Sequence, residues 1–152
     1  MPDLATHSLL ATILQRVTRE KISLILILVG TILPDILSRA PIILSSHLEW
    51  MAVPFHSPIP LFVLAYLVSM LFQEQSRKQV FISLLTGMYF HLFLDMLQWH
   101  VADHNYFWLY PFSQFQFELG LFDSNTVFTF LPFLIILVLG FELLRKHRSS
   151  KF

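Results

Sequence analysis

The chain of 152 residues contains no cysteine. This excludes disulfides, thiolate metal sites and cysteine nucleophiles, so any metal site must be built from histidine and carboxylate side chains. Charge is also scarce, because Asp, Glu, Lys and Arg make up only 13% of the residues, and the formal net charge is zero. Basic residues are confined to the ends of apolar segments, with one exception, and we therefore expect no nucleic-acid partner.

Apolar residues dominate instead, at 55% of the chain with 16 Phe and a mean hydropathy of +0.64. Apolar segments lie at about 4–15, 22–37, 58–73, 80–99 and 127–144. Only the last two reach the roughly 20 residues that span a bilayer as a helix. We predict an all-α integral membrane helical bundle of about five helices, with four spans plus an interfacial N-terminal helix as the alternative. It forms a single membrane-embedded domain over 1–152, with a short basic cytoplasmic tail at about 145–152.

The basic residues predict an orientation. Nine of the ten Lys and Arg lie within 16–21, 77–78 and 145–151, and only Arg39 lies elsewhere. By the positive-inside rule these three places face the cytoplasm, and the loops at about 38–57 and 100–126 face outward. Trp and Tyr residues cluster in or beside these two loops, as an outer interfacial belt requires. We therefore predict an integral protein of the plasma (inner) membrane with a cytoplasmic C-terminus.

Two ionisable residues lie inside the apolar segment 80–99, namely His91 and Asp95. An Asp near the centre of a membrane helix costs roughly 2.5–3.5 kcal/mol, so such a residue usually marks a functional site. At i and i+4 the two side chains share one helix face. Gly87 lies on the same stripe and leaves room for a neighbouring backbone one turn below the pair.

The predicted topology brings further ionisable residues to the same depth on the outer side. Asp35 lies at the end of an outward-going segment, and His56 lies at the start of an inward-going one. If the N-terminal segment spans the membrane, His7 joins them. We predict metal ligation by His7, Asp35, His56, His91 and Asp95, with Zn²⁺ as the first expectation and Mn²⁺ as the second. The alternative is that these side chains hold neighbouring helices together without a metal.

Short motifs surround these residues in a fixed order. They are Thr6-His7-Ser8, Leu33-Pro34-Asp35, Phe55-His56-Ser57, a Gly87-x-x-x-His91-x-x-x-Asp95 pattern, and Tyr110-Pro111-Phe112. In this order and spacing the chain resembles the YdjM-like membrane-bound, metal-dependent hydrolases from residue 6 to about 113. The order of the His and Asp residues is also similar to part of the metal set of zinc-dependent phospholipases C.

The chain departs from the family pattern at two places. Leu37 and Ser38 stand where the family usually has an acidic residue and a histidine. Residues 51–53 read Met-Ala-Val, where the family has His-Arg-Gly. Both departures remove side chains that could bind a metal or a phosphate.

The resemblance implies a hydrolase. The depth of the cluster, near the outer interface, leads us to expect a membrane lipid or a lipid-linked ester or phosphodiester as the substrate. Asp95 or Asp35 would act as the catalytic carboxylate that ligates the metal and orients the attacking water. The alternative is a non-enzymatic membrane protein that uses the same cluster for metal binding, transport or helix packing.

Overall fold

Five α-helices form the described part of the chain, which comprises residues 4–18, 23–51, 53–99 and 107–149 of a computed structural model. The helices are α1 (Leu4–Thr18), α2 (Leu24–Leu44), α3 (Pro58–Met70), α4 (Glu74–Leu97) and α5 (Ser124–Ser149). Two 3₁₀ turns, Ser46–Met51 and Val53–His56, connect α2 to α3. The architecture confirms the predicted all-α membrane bundle.

Two of the helices are long and apolar enough to cross a bilayer, over Leu24–Pro41 and Glu74–Leu97. Pro58–Met70 and Leu131–Gly140 are shorter apolar helical stretches. Large apolar side chains remain exposed on the bundle surface, for example Phe62 and Leu67 on α3 and Ile136 on α5. A surface of this kind is favourable against lipid and costly in water.

Helix α2 is longer than the sequence pattern predicts. We predicted a segment ending near residue 37 and a loop over 38–57, whereas α2 continues to Leu44 with two prolines inside it. The polar side chains of Ser38 and Arg39, which follow the apolar segment, both form hydrogen bonds within the helix. The Ser38 hydroxyl donates to the Asp35 carbonyl at 3.1 Å, and Arg39 Nε donates to Asp35 Oδ1 at 3.4 Å. Asp35 therefore lies inside the helix, about two and a half turns before its end.

The backbones of α2 and α4 touch at two glycines. A Cβ atom on Gly30 would collide with the Leu84 backbone, and one on Gly87 would collide with the backbone of Ile27 and Thr31. The Thr31 hydroxyl lies in the same contact, 2.9 Å from the Ile27 carbonyl and 3.4 Å from the Gly87 carbonyl. The predicted role of Gly87 as a close-packing position is confirmed. The contact fixes α2 against α4 one turn below His91.

The remaining helices pack around this pair. Leu61 and Ala65 of α3 are fully buried against α4, where they join a cluster with Val80, Leu84, Met88 and Leu92. Helix α1 packs against α2, α4 and α5, with Ala11 fully buried. These contacts place the start of α1 and the 3₁₀ turn before α3 beside the C-terminal half of α4.

The segment 107–123 runs back to the end of α4. The amides of Leu119 and Leu121 donate to the carbonyls of Met96 and Leu97 at 2.8 and 2.7 Å. These hydrogen bonds hold the segment at the C-terminal end of α4, at the two residues that follow Asp95.

Candidate metal centre

All five predicted site residues come together in the structure, although they belong to four separate segments. His7 comes from α1, Asp35 from α2, His56 from the second 3₁₀ turn, and His91 and Asp95 from α4. His91 is fully buried, and Asp95, His7 and Asp35 are 2%, 3% and 8% exposed. His56 is also largely enclosed, with 11% of its side chain exposed.

Asp95 lies at the centre of the group. Its Oδ1 is 3.4 Å from His7 Nε2, and its Oδ2 is 3.2 Å from His91 Nε2 and 3.8 Å from His56 Nε2. The His91 ring lies beside both other imidazoles, with centroid separations of 4.9 Å to His7 and 5.5 Å to His56. Three Nε2 atoms thus converge on one carboxylate.

Asp35 closes the group from α2. Its Oδ1 is 3.6 Å from His56 Nε2 and 4.0 Å from His91 Nε2. The same oxygen accepts the hydrogen bond from Arg39 described above. Asp35 therefore contacts both the histidines of the buried cluster and the guanidinium of Arg39 on its own helix.

The donor atoms fall into two overlapping groups of metal-ligand geometry. His7, His91 and Asp95 form one, and Asp35, His56 and His91 form the other, and within each group the ligand atoms lie within 4.8 Å of one another. Two ligands of a tetrahedral ion bound at about 2.1 Å are separated by about 3.4 Å. The observed separations of 3.2 to 4.0 Å are close to that value.

The hydrogen bonding of the most buried pair also fits a cation. Among the residues that the structure describes, both nitrogens of His91 and both carboxylate oxygens of Asp95 are buried without a hydrogen bond of acceptable geometry. Buried polar atoms normally have a partner. A divalent cation bound by nitrogen and oxygen would supply it, and the donor set could hold such an ion.

Arg39 is a neighbour of the site that we did not predict. Its side chain is 30% exposed and contacts Asp35 across one helical turn. The sequence distinguishes Arg39 only as the basic residue outside the three cytoplasmic places. The spacing of Asp and Arg at i and i+4 could have indicated the contact, provided that α2 was taken to continue past residue 37.

Comparison with protein families identifies a relationship for this chain. The profile described as YdjM inner membrane protein matches residues 3–152. No curated protein and no solved structure matches the chain. The profile extends over nearly all of the chain, including all five residues of the cluster, and confirms the resemblance to the YdjM family.

Proposed function

The chain belongs to the YdjM inner membrane protein family, and from this premise we propose that it is a membrane-bound, metal-dependent hydrolase. Its metal centre would be the cluster of His7, Asp35, His56, His91 and Asp95. The supporting observation is the convergence of three imidazoles and two carboxylates from four segments at ligand-like separations. The cofactor would be a divalent cation, with zinc first and manganese second.

Helix packing alone accounts less well for this arrangement. A polar pair that holds helices together stabilises them through hydrogen bonds, and a buried pair that lacks them is costly. His91 and Asp95 approach to 3.2 Å without acceptable hydrogen-bond geometry. Ligation of a shared cation offsets the cost of burying both groups.

The depth of the cluster supports a membrane-borne substrate. His91 lies about 9 Å below the end of α4 at Leu97, at 1.5 Å per residue. The Trp99 side chain is exposed beyond the helix end, where an interfacial tryptophan is expected. A lipid head group or a lipid-linked ester reaches this depth more readily than a large soluble polymer does.

The residues divide the chemistry among them. A bound divalent cation supplies Lewis acidity, which polarises a phosphoryl or acyl oxygen and lowers the pKa of water to about 7. His7, His91 and Asp95 would form one set of ligands for the ion, and Asp35, His56 and His91 the other, with the imidazoles neutral. Asp35, at the edge of the cluster, would also orient the attacking water and accept its proton. The water oxygen bonds to phosphorus or to the acyl carbon, the ester bond breaks, and the proton passes to the departing alkoxide.

Hydrolysis by the detergent-purified chain tests the proposal. Phospholipids, lipid-linked phosphodiesters and carboxyl esters are offered in mixed micelles to the wild type, Asp95→Asn and His47→Ala. We expect turnover that requires metal, is lost in Asp95→Asn, and is unchanged in His47→Ala, because His47 is exposed and outside the cluster. Activity that survives chelation or Asp95→Asn would contradict the mechanism.

Metal analysis of the same samples separates the alternatives. Bound metal without turnover on any substrate would favour a non-enzymatic metal-binding protein. Wild-type protein that holds no transition metal after purification under metal-replete conditions would favour helix packing.

A further inference from the structure

Arg39 occupies an unusual place for a basic residue of this chain. The other nine Lys and Arg lie near segment ends that we assign to the cytoplasmic side, whereas Arg39 lies within α2, one turn after Asp35. Its guanidinium is only partly exposed, with Nε 3.4 Å from Asp35 Oδ1. A cation held in a membrane bundle is costly, and it usually marks a substrate or ion site.

The charges of the cluster indicate what this cation can do. Asp35 and Asp95 contribute two negative charges, and histidines that bind a metal are neutral. A divalent cation therefore brings the cluster to zero, and Arg39 raises the total to one positive charge. At such a site an anion is attracted, and a neutral ester is not.

Resting on the hydrolase function proposed above, we propose that Arg39 determines specificity by binding the anionic phosphoryl oxygens of a phosphodiester substrate. The substrate class is then a phosphodiester, most directly that of a phospholipid head group, and not a neutral carboxyl ester. A guanidinium can donate to Asp35 through one nitrogen and to a phosphoryl oxygen through others. This planar arrangement of donors matches phosphate oxygens better than a lysine ammonium does.

Anion binding tests the assignment without requiring turnover. The full chain in detergent is loaded with Zn²⁺, freed of unbound metal and titrated calorimetrically with dimethyl phosphate, an anionic diester. Trimethyl phosphate, its neutral counterpart, is titrated in parallel. We expect Arg39→Gln to weaken dimethyl phosphate binding by about 10-fold or more, the effect of losing a hydrogen bond to a charged group. Arg39→Lys should be intermediate, and trimethyl phosphate should bind weakly and equally to all variants.

Arg77→Gln is the matched control. Arg77 lies in the first turn of α4, where its Nε donates to the Phe72 carbonyl at 3.1 Å. It is about 14 residues, or roughly 21 Å, from His91 along the helix. Its replacement should leave dimethyl phosphate binding unchanged, and an equal loss in both arginine variants would overturn the proposal.

The source of the phosphate is tested in two further titrations. Inorganic phosphate is compared with mixed micelles that contain phosphatidylglycerol. Arg39-dependent binding of the phospholipid supports a head-group substrate. If only the binding of inorganic phosphate depends on Arg39, the proposed phosphodiester specificity is overturned.

Zinc content and thermal unfolding of each variant separate the remaining outcomes. Loss of zinc from Arg39→Gln would show that Arg39 only positions Asp35, and it would overturn the specificity role. Metal-dependent hydrolysis of neutral carboxyl esters, with no Arg39-dependent anion binding, would overturn this inference and leave the hydrolase function standing. Arg39-dependent anion binding without any turnover would support the inference while the proposed hydrolysis fails.

Discussion

Asp95 connects three parts of the bundle through one carboxylate. One oxygen faces His7 of α1, and the other faces His91 of its own helix and His56 of the turn before α3. A cation bound at these atoms would therefore cross-link α1, α4 and the turn through metal coordination. Metal binding and stability of the fold should be linked.

At this scale we predict that zinc raises the thermal stability of the wild type. An ion that binds only the folded chain contributes about 2.7 kcal/mol at a hundred times its Kd. His91→Ala should abolish most of the rise in Tm, because it removes a donor shared by both ligand groups. The measurement is the unfolding temperature in detergent with zinc and with chelator.

His47→Ala is the control, since His47 is exposed beyond the end of α2. It should retain the full zinc-dependent shift. A shift of equal size in His91→Ala and in the wild type would place the stabilising ion elsewhere.

Most of these residues could be predicted because one ionisable pair lies inside an apolar segment and the topology places the other residues at the same depth. His91 and Asp95 are ionisable residues at helical spacing within an apolar segment, and charge asymmetry placed Asp35 and His56 at the same depth. Arg39 could not be found in this way, because its partner depends on whether α2 continues past residue 37. That in turn depends on hydrogen bonds that local composition does not reveal.

At the scale of elements, the contact between α2 and α4 positions the site. These two helices carry Asp35, His91 and Asp95, and their backbones touch at Gly30 and Gly87. Because the contact involves backbone atoms, neither helix can accommodate a larger residue by a side-chain movement alone. This contact, one turn before His91 on α4, therefore sets the distance between Asp35 and His91.

We predict that Gly87→Ala destabilises the protein by about 1–3 kcal/mol, as overpacking of a close contact does. The new Cβ would meet the backbone of Ile27 and Thr31 and force α2 away from α4. Since Asp35 moves with α2, zinc affinity should fall as well. Equilibrium unfolding and zinc titration of the same sample measure the two effects.

Gly140→Ala is a matched substitution in α5, where an added Cβ has no neighbour within 4 Å. It should be neutral or stabilise by up to about 1 kcal/mol, through helix propensity alone. Equal destabilisation by the two substitutions would mean that the α2–α4 contact is not the cause.

The contacts between helices could be predicted less well than the positions of the helices in the sequence. A lipid-surrounded helix is apolar on all sides, so the 3.6-residue period that marks the buried face of a soluble helix is weak. Gly87 was informative because small residues mark close helix contacts in membranes. Its partners Ile27, Gly30 and Thr31 on α2 could not be identified without the structure.

For the whole molecule, the charge distribution predicts that the segment 107–123 faces outward and the start of α4 faces the cytoplasm. The chain contains no cysteine, so a thiol reagent would label only the single cysteine introduced into each variant. We expect Gln114→Cys to react with an impermeant thiol reagent on intact cells and Gln75→Cys to react only after permeabilisation. Both side chains are exposed. The reverse result would invert the bundle and place the metal centre near the cytoplasmic face.

The N-terminal helix raises a separate question of topology. His7 contacts Asp95, and α1 packs against three other helices, as the five-helix arrangement requires. We therefore predict that Asp3→Cys is labelled from outside intact cells. Labelling only after permeabilisation would favour the alternative with four spans and an interfacial first helix.

Helix α3 has a consequence for the surrounding lipid. It has 13 residues and begins two residues after His56, so it is about 20 Å long and starts at the depth of the cluster. A bilayer core is about 30 Å thick, and a short span is matched by thinning of the lipid around it. Outer-leaflet head groups beside α3 would then sink toward His56, and this hydrophobic mismatch would itself deliver substrate to the cluster. We expect the protein in nanodiscs to be more stable, and its hydrolysis of bilayer lipid faster, with 14-carbon than with 18-carbon acyl chains.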